Sequence, residues 1–486
     1  MKNNFVGRKR ELEKLSDLHK RPVPSLAVIM GRRRIGKSRL IEKFATISKN
    51  KLWNFIGIAP QDDMTDQTQR DHFAQQLAIF LNIAPPTFND WSDAFDHLSL
   101  HLQNKDIVLF DEISWMGNKD STFIPKLKAW WDNQVAKTWG NEEGPSITLV
   151  LCGSVSTWIE ENILKSTALF GRINLTIELE PLSIVESVQL LTIMGFQGSE
   201  YDTYKILAIC GGVPWYLEQA GSGFTADAII KKLCFEKKGL LVSEFDHIFH
   251  DLFNGKSKVY KKIIDTLKTG NKTLSEIRTA IKFAPSGTLS TLIEQLTIAG
   301  FVKKQQLWSF KTSKSSKQSI YFISDPYMRF YLKVIEPDRA RIDAGNFTAP
   351  PLSSITYFDT HMGLQIETLL LQNRSLLLES MRIFPDNVIN DGPYRQPKTT
   401  KNHGCQVDYL VQTDTKNIFV CEFKFKRHEF GMEIIHEMKK KIKALKVPKG
   451  FAVIPVLFHI SGVSEPVTMS NYFYRIIDIT DFLPAK

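Results

Sequence analysis

Leu26-Ala27-Val28-Ile29-Met30 runs directly into Gly31-Arg32-Arg33-Arg34-Ile35-Gly36-Lys37-Ser38, and the amphipathic stretch Ser38–Ile47 follows at once. A short apolar run suits a strand buried on both faces, and the octet fits GxxxxGK[ST] at a strand-to-helix junction. Its glycines let backbone N–H groups curl around phosphates at a helix N-terminus, where the partial positive charge favours anions. The expected cradle for ATP is therefore Gly31, Arg32, Arg33, Arg34, Ile35, Gly36, Lys37 and Ser38, with Arg39 just beyond. Lys37 would reach the β- and γ-phosphates and Ser38 would ligate Mg2+.

A second apolar run, Ile107-Val108-Leu109-Phe110, ends in Asp111-Glu112. Asp111 is expected beside the Mg2+ held by Ser38, and Glu112 is expected to polarise the attacking water. Leu52–Ile56 and Ile147–Leu151 read as further strands buried on both faces, and Gln67–Leu81 as an amphipathic helix, which gives a parallel α/β sheet. Three weaker features each carry two readings. Ser154 contacts the γ-phosphate or water, or is a turn serine. Arg172, in Leu169-Phe170-Gly171-Arg172, neutralises transition-state charge for a neighbouring subunit or domain, or is a surface arginine. Gly211-Gly212-Val213-Pro214 senses nucleotide at a helix junction, or is an ordinary helix-breaking turn.

Phe5-Val6-Gly7-Arg8, Glu11-Leu12, the triple-arginine loop, Phe110-Asp111-Glu112, the Leu169–Arg172 segment and Gly211–Leu217 together resemble the archaeal-type ATPase family. That family lies within the AAA+ and signal-transducing (STAND) P-loop ATPases, and the resemblance covers roughly residues 1–250. It implies that Phe5–Arg8 lies near the adenine, with Val6 as the contact, and that Arg172 is an arginine finger acting in a homo-oligomer. It also implies a winged helix and then a PD-(D/E)XK nuclease-like domain further along the chain.

Composition bounds the remainder. The chain has 486 residues, 43% of them apolar, with 62 Lys plus Arg against 52 Asp plus Glu. Such a length suits about three domains, and such apolar content excludes a disordered chain. No apolar stretch approaches the ~20 residues of a membrane span, and no apolar signal core opens the sequence. Five scattered cysteines form no CxxC pair, so they read as buried thiols of a cytoplasmic protein. The net charge of +10 is local: residues 255–345 hold 17 Lys or Arg and 7 Asp or Glu. Within them Lys256–Leu267, Thr273–Ile281 and a stretch from Pro285-Ser286-Gly287 to Ala299 read as helices, Thr273 and Glu276 forming a capping box. Phe301–Ile323 alternates like a two-stranded ribbon tipped by Lys311, Lys314 and Lys317. This is the order of a winged helix-turn-helix, which holds DNA non-specifically or docks another protein surface. Pro337–Pro351 reads as a linker.

In the last part of the chain, Asp408 and the Glu422-Phe423-Lys424 triplet lie on two neighbouring strand candidates. In the second strand the face of Ile418, Val420, Glu422 and Lys424 changes from apolar to charged midway, as if leaving a core for a site. Two carboxylates there would hold Mg2+ or Mn2+ against a phosphodiester while a lysine orients water. The arrangement resembles the PD-(D/E)XK core, with Asp408, Glu422 and Lys424 at its three motif positions. Glu367, in the expected helix Met362–Leu378, matches a further acidic metal ligand, and Gln406 a polar position. Arg395, Lys398 and Lys401 would hold the backbone of the substrate. Helix His428–Leu445 and strand Phe451–Phe458 complete the expected order.

The expected architecture is α/β and multidomain: a P-loop ATPase sheet over residues 1–180, a helical lid over 181–254, a winged helix over 255–345 and a restriction-endonuclease-like domain over 346–486. The expected function is ATP-dependent DNA processing with metal-dependent cleavage. Its alternative is a nucleotide-operated oligomeric switch whose nuclease-like domain binds DNA or protein without cutting.

Overall fold

The computed structural model describes residues 4–59, 61, 63–136, 146–154, 157–222, 225–252, 257–284, 287–308, 315–347, 351–354, 358–396 and 404–484. The chain divides into two compact units, Met1–Pro181 and Leu182–Lys486.

The first unit is built on five parallel strands, β1 (Ser25–Gly31), β2 (Leu52–Ile56), β3 (Ile107–Asp111), β4 (Thr148–Ser154) and β5 (Ile173–Leu179), in the order β2-β3-β4-β1-β5. Parallel neighbours need crossover connections, and helices such as Lys37–Ser48 and Asp66–Leu81 supply them. β1, β3 and β4 are buried along nearly their whole length, as continuous apolar runs require. β2 departs from the expectation of burial on both faces. It is an edge strand, and its burial alternates. One side of the sheet closes over an aromatic core in which Phe73 stacks on Phe55 at 4.3 Å and Trp91 meets Phe123 edge-on at 4.9 Å.

The second unit begins with a run of helices from Ile184 to Leu252. The Gly211–Pro214 turn has a packing explanation: a Cβ on Gly212 would lie 2.0 Å from the carbonyl oxygen of Leu182, and Pro214 opens the next helix at its first position. Three helices follow, Ser257–Leu267, Leu274–Ala280 and Thr288–Ile298, with the capping box at Thr273 and Glu276 formed. The third buries Leu289, Leu292, Ile293 and Leu296 and exposes Thr288, Ser290 and Thr291. Beside them β6 (Lys272–Thr273), β7 (Val302–Trp308) and β8 (Ser315–Ile323) form an antiparallel sheet in the order β6-β8-β7. Lys311 and Lys314, together with Pro285 and Ser286, lie outside the described residues, as does the side chain of Lys317.

The stretch expected to be a linker is packed structure over much of its length. Arg339–Ala344 is helical with Ile342 buried, and Arg339 donates to Tyr331 Oη at 2.9 Å and pairs with Asp246 at 3.1 Å. Prolines at 337 and 351 flank this helix; Arg339 pairs with Asp343 and Arg341 with Asp338, while Arg341 and Asp343 stay exposed to water.

The last sheet is mixed. β9 (Val388–Gln396), β10 (Cys405–Thr413) and β11 (Asn417–Lys424) pair antiparallel, and β12 (Ala452–His459) and β13 (Arg475–Asp478) continue parallel in the order β13-β12-β11-β10-β9. The expected helix Met362–Leu378 is two helices, Phe358–Gln372 and Arg374–Ser380, broken at Asn373, whose side chain is turned to Leu369 and Ile184. The expected helix His428–Leu445 starts later, at Glu433, and ends at Ala444. All five cysteines are buried and unpaired. No helix among the described residues is long and apolar enough to cross a membrane.

Candidate functional site

The cradle in the first unit is assembled by the carboxyl ends of β1, β3 and β4. Gly36, at φ 91°, and Arg34, at φ 68°, turn the loop through the left-handed region, and the helix Lys37–Ser48 starts immediately after it. Successive left- and right-handed residues of this kind point backbone N–H groups into one concavity. Lys37 is buried and donates to the carbonyls of Gly31 at 3.2 Å and Arg32 at 3.3 Å. It folds over the loop that it would vacate for phosphate oxygens. Ser38 Oγ donates to Asp111 Oδ2 at 2.5 Å, so the hydroxyl and carboxylate named as Mg2+ ligands already share one spot. That donor set fits a divalent cation that also takes phosphate oxygens.

β4 lies between β1 and β3, and its register sets Ser154 opposite Gly31. Ser154 Oγ is 3.5 Å from Lys37 Nζ, which puts it beside the cradle. Glu112 follows at φ 50°, and its Oε2 is buried with no hydrogen-bond partner among the described residues. Burial pushes the Glu112 carboxyl up; Asp111 adds to the rise and Lys37 opposes it. A buried acceptor beside a cation site suits a group that takes its bond from a water. The side chain of Arg33 lies 5.7 Å over the ring of Trp115, tying the loop to the helix after Glu112.

The N-terminal motif, expected near the adenine, reaches the loop through Arg8. Arg8, buried and at φ 60°, donates to Glu180 O at 2.7 Å and to Ile35 O at 3.4 Å. It thereby pins the segment containing Val6 to the loop. An arginine in a glycine-containing turn before a helix was the available signal.

Arg172 lies elsewhere. It makes a two-point ion pair with Asp132, Nε to Oδ1 at 2.6 Å and Nη2 to Oδ2 at 2.7 Å, and this bond holds the Asp132 carboxyl down at about 2. The next residue, Ile173, pairs with Leu26 at the start of β1, whereas the loop begins at Gly31 at its end. Five residues of strand separate them by roughly 17 Å. Arg172 is therefore at the opposite end of the sheet from the cradle of its own chain.

In the second unit the β10–β11 register, Tyr409 opposite Cys421 and Leu410 opposite Val420, sets Asp408 across from Glu422 on one face. Asp408 Oδ2 accepts from Phe423 N at 2.9 Å. Lys424 Nζ pairs with Glu422 at 3.1 Å and with Glu437 at 2.8 Å. Burial would depress the Lys424 ammonium, but these two carboxylates outweigh it and hold it above the usual lysine range. Glu367 joins the cluster from helix Phe358–Gln372: burial first, then the charge of Asp408, pushes it up to about 7. Burial and the charge of Glu422 likewise hold Asp408 above the usual carboxylate range. Arg329 fixes the helix that carries Glu367, donating to Leu364 O at 3.1 Å and Thr368 Oγ1 at 2.7 Å.

Acids raised in this way favour the fold when protonated, and that contribution is lost as pH climbs through their folded values. A cation would offset the cost, so the chemistry of the donor set fits Mg2+ or Mn2+. The side chains are not, however, arranged as the expected ligand set of Glu367, Asp408 and Glu422. Among the described residues no group of three or more His, Cys, Asp or Glu is positioned to hold a metal ion. Lys441, from helix Glu433–Ala444, stands between the two strands' carboxylates: its ammonium pairs with Glu422 Oε2 and lies 3.9 Å from Asp408 Oδ1. The sequence held a sign of it: Ile434 and Met438 are buried, and three residues further the inward stripe reaches Lys441.

The other expected residues are dispersed. Gln406 is exposed on β10. Arg395 is exposed on β9 and feels the charge of Glu276. Lys398 and Lys401 lie outside the described residues. The ribbon strand β7 packs on the last sheet, with Gln305 Nε2 donating to Pro393 O at 2.7 Å and Trp308 meeting Tyr394 edge-on at 5.2 Å.

Residues 5–220 match the model of an ATPase domain predominantly from Archaea. The uncharacterized protein MJECL04 of Methanocaldococcus jannaschii is 24% identical over 434 residues, 87% of this chain and 88% of that one. Among solved structures, the RuvB Holliday junction branch migration motor of Thermotoga maritima is 16% identical, with a TM-score of 0.37, over 62% of this chain and 90% of its own. The ORC2 protein of Aeropyrum pernix, in ADPNP–ADP complexes, is 14% identical, with a TM-score of 0.41, over 70% and 96%. With the loop, the strand-end carboxylates and the family match together, the N-terminal part of the chain is a P-loop ATPase domain.

Proposed function

We propose that this chain binds and hydrolyses ATP in its first unit and uses the nucleotide cycle to control DNA handling, including metal-dependent phosphodiester cleavage, in its second. The observation that carries the first half is the contact between Ser38 and Asp111 beside a folded-over Lys37. In this reading Lys37 binds the β- and γ-phosphates, Gly31–Ser38 and Arg39 surround them, and Val6 lies against the base. Ser38 and Asp111 would hold Mg2+, which would supply charge neutralisation at the phosphates. Glu112 takes a proton from the attacking water, with Ser154 beside it. The position of Arg172 favours action on a neighbouring protomer. Mixing Arg172→Ala with Lys37→Ala protein is expected to restore part of the ATPase activity that each lacks alone; a mixture no more active than its components contradicts the trans role.

The helices Ser257–Leu267, Leu274–Ala280 and Thr288–Ile298 with their small sheet support a winged helix over 255–345. The preceding lid is read over 181–254 and the nuclease-like domain over 346–486. Exposed Lys258, Lys262, Lys303 and Lys304 give the winged helix cations for a phosphate backbone. Charge reversal at Lys303 and Lys304 is expected to weaken DNA binding and to lower its salt slope by about 2. Equal affinity and slope at all salt concentrations would assign this segment to protein contacts.

For the second half, Asp408 facing Glu422 with Lys424 next to it supports a hydrolytic phosphodiester site. A bound Mg2+ or Mn2+ would polarise the phosphate, Asp408, Glu422 and Glu367 would hold it, and Lys424 would orient water. Incubation of plasmid and linear DNA with ATP and either metal, beside Asp408→Asn and Lys37→Ala variants, tests both halves. Two observations favour the second reading, a nucleotide-operated switch that binds without cutting: Lys441 bridges the carboxylates, and the ribbon is docked on β9.

A further inference from the structure

We propose that Lys441 is the resident counter-ion of the carboxylate pair and competes with the divalent cation for Asp408 and Glu422. The inference rests on reading that pair as the cation site of the nuclease-like domain, and it adds a regulatory residue that the three motif positions do not contain.

The geometry separates the two lysines of the cluster. Lys424 is engaged at two points, with Glu422 at 3.1 Å and Glu437 at 2.8 Å. Lys441 is the cation that spans both strands, paired with Glu422 Oε2 and 3.9 Å from Asp408 Oδ1. A cation bound by both carboxylates would use the same oxygens and the same local charge, so occupation by one opposes occupation by the other. The backbone around Lys441 is anchored, because Cys405 Sγ lies 3.5 Å from its carbonyl and Gln396 Nε2 donates to Ala444 O at 2.8 Å. Its side chain, by contrast, retains 19% of its exposure. A strongly hydrated ammonium on a flexible four-carbon stem can leave by rotamer changes alone.

Without divalent cation the pair is therefore charge-compensated and closed to a ligand set. With it, the lysine must give way. The threshold cation concentration of the site is set by a residue on helix Glu433–Ala444, outside the strands that carry the ligands.

The test measures Mn2+ binding to the full chain, without nucleotide or DNA, by calorimetric titration. Wild type, Lys441→Met, Lys441→Arg and Asp408→Asn are compared, together with Asp408→Asn in the Lys441→Met background. Circular dichroism establishes that each variant is folded. The Asp408-dependent site is expected to bind about tenfold more tightly or better in Lys441→Met, and no more tightly than wild type in Lys441→Arg. Equal or weaker binding at that site in Lys441→Met overturns the competition while leaving the cation site standing. Binding that Asp408→Asn leaves unchanged in both backgrounds overturns the site itself, and the inference with it.

Discussion

Lys37→Ala protein should lose roughly 100- to 1,000-fold in ATP turnover while keeping its fold, as for removal of one positioned charge from a phosphoryl-transfer site. The expectation follows from where the ammonium rests. Lys37 is 6% exposed and donates to two loop carbonyls and the hydroxyl of Ser154. None of these hydrogen-bond partners is a carboxylate, and Glu112, the buried carboxyl whose charge Lys37 helps to hold, is already pushed toward its neutral form by burial. The folded state therefore loses only modest hydrogen bonds, whereas the nucleotide loses the cation nearest its terminal phosphates. Initial rates of phosphate release and circular dichroism read the two effects separately. Turnover within a few-fold of wild type would remove Lys37 from the site.

Asp408→Asn should act in opposite directions on chemistry and on stability. Cleavage of DNA with Mg2+ or Mn2+ should fall by at least 100-fold, because the amide is a poor ligand for a hard cation. The melting temperature at neutral pH, in the absence of divalent cation, should rise. Burial and Glu422 hold the Asp408 carboxyl above its usual range, so its ionised form is a cost to the fold that the neutral amide does not carry. The amide oxygen can still accept the Phe423 N–H that Asp408 accepts at 2.9 Å. ATP turnover should be unchanged. A fall in melting temperature together with the fall in cleavage would mean that the carboxylate serves the fold, not a cation.

The parts legible in the sequence were those that depend on one strand or one loop at a time. The run into Gly31, the strand ending in Asp111-Glu112 and the alternation of β11 each state their own geometry, because a strand has a two-residue period and a phosphate loop a fixed spacing. That Asp408 and Glu422 lie on neighbouring strands was legible as well, since a short polar turn joins the two strand candidates, whereas their facing comes from the register. What stayed hidden depends on how separate elements come together. The order β2-β3-β4-β1-β5 puts Ser154 beside the loop and makes β2 an edge, and no local pattern gives a strand order. The same register carries Arg172 to the far end of the sheet. Lys441 reaches the carboxylates only because a helix lies across two strands, and Arg8 reaches Ile35 from 27 positions away. The helix Arg339–Ala344 was masked by its flanking prolines and charges.

The most direct test of the central claim is the conversion of supercoiled plasmid to nicked and linear forms by the full chain with ATP and Mn2+. Wild type is measured beside Asp408→Asn and Lys37→Ala under identical salt. Wild type should convert the plasmid in a metal-dependent way, Asp408→Asn should not, and Lys37→Ala should cleave to an altered extent. Conversion that Asp408→Asn performs as well as wild type, or no conversion by wild type with either metal, would contradict that claim.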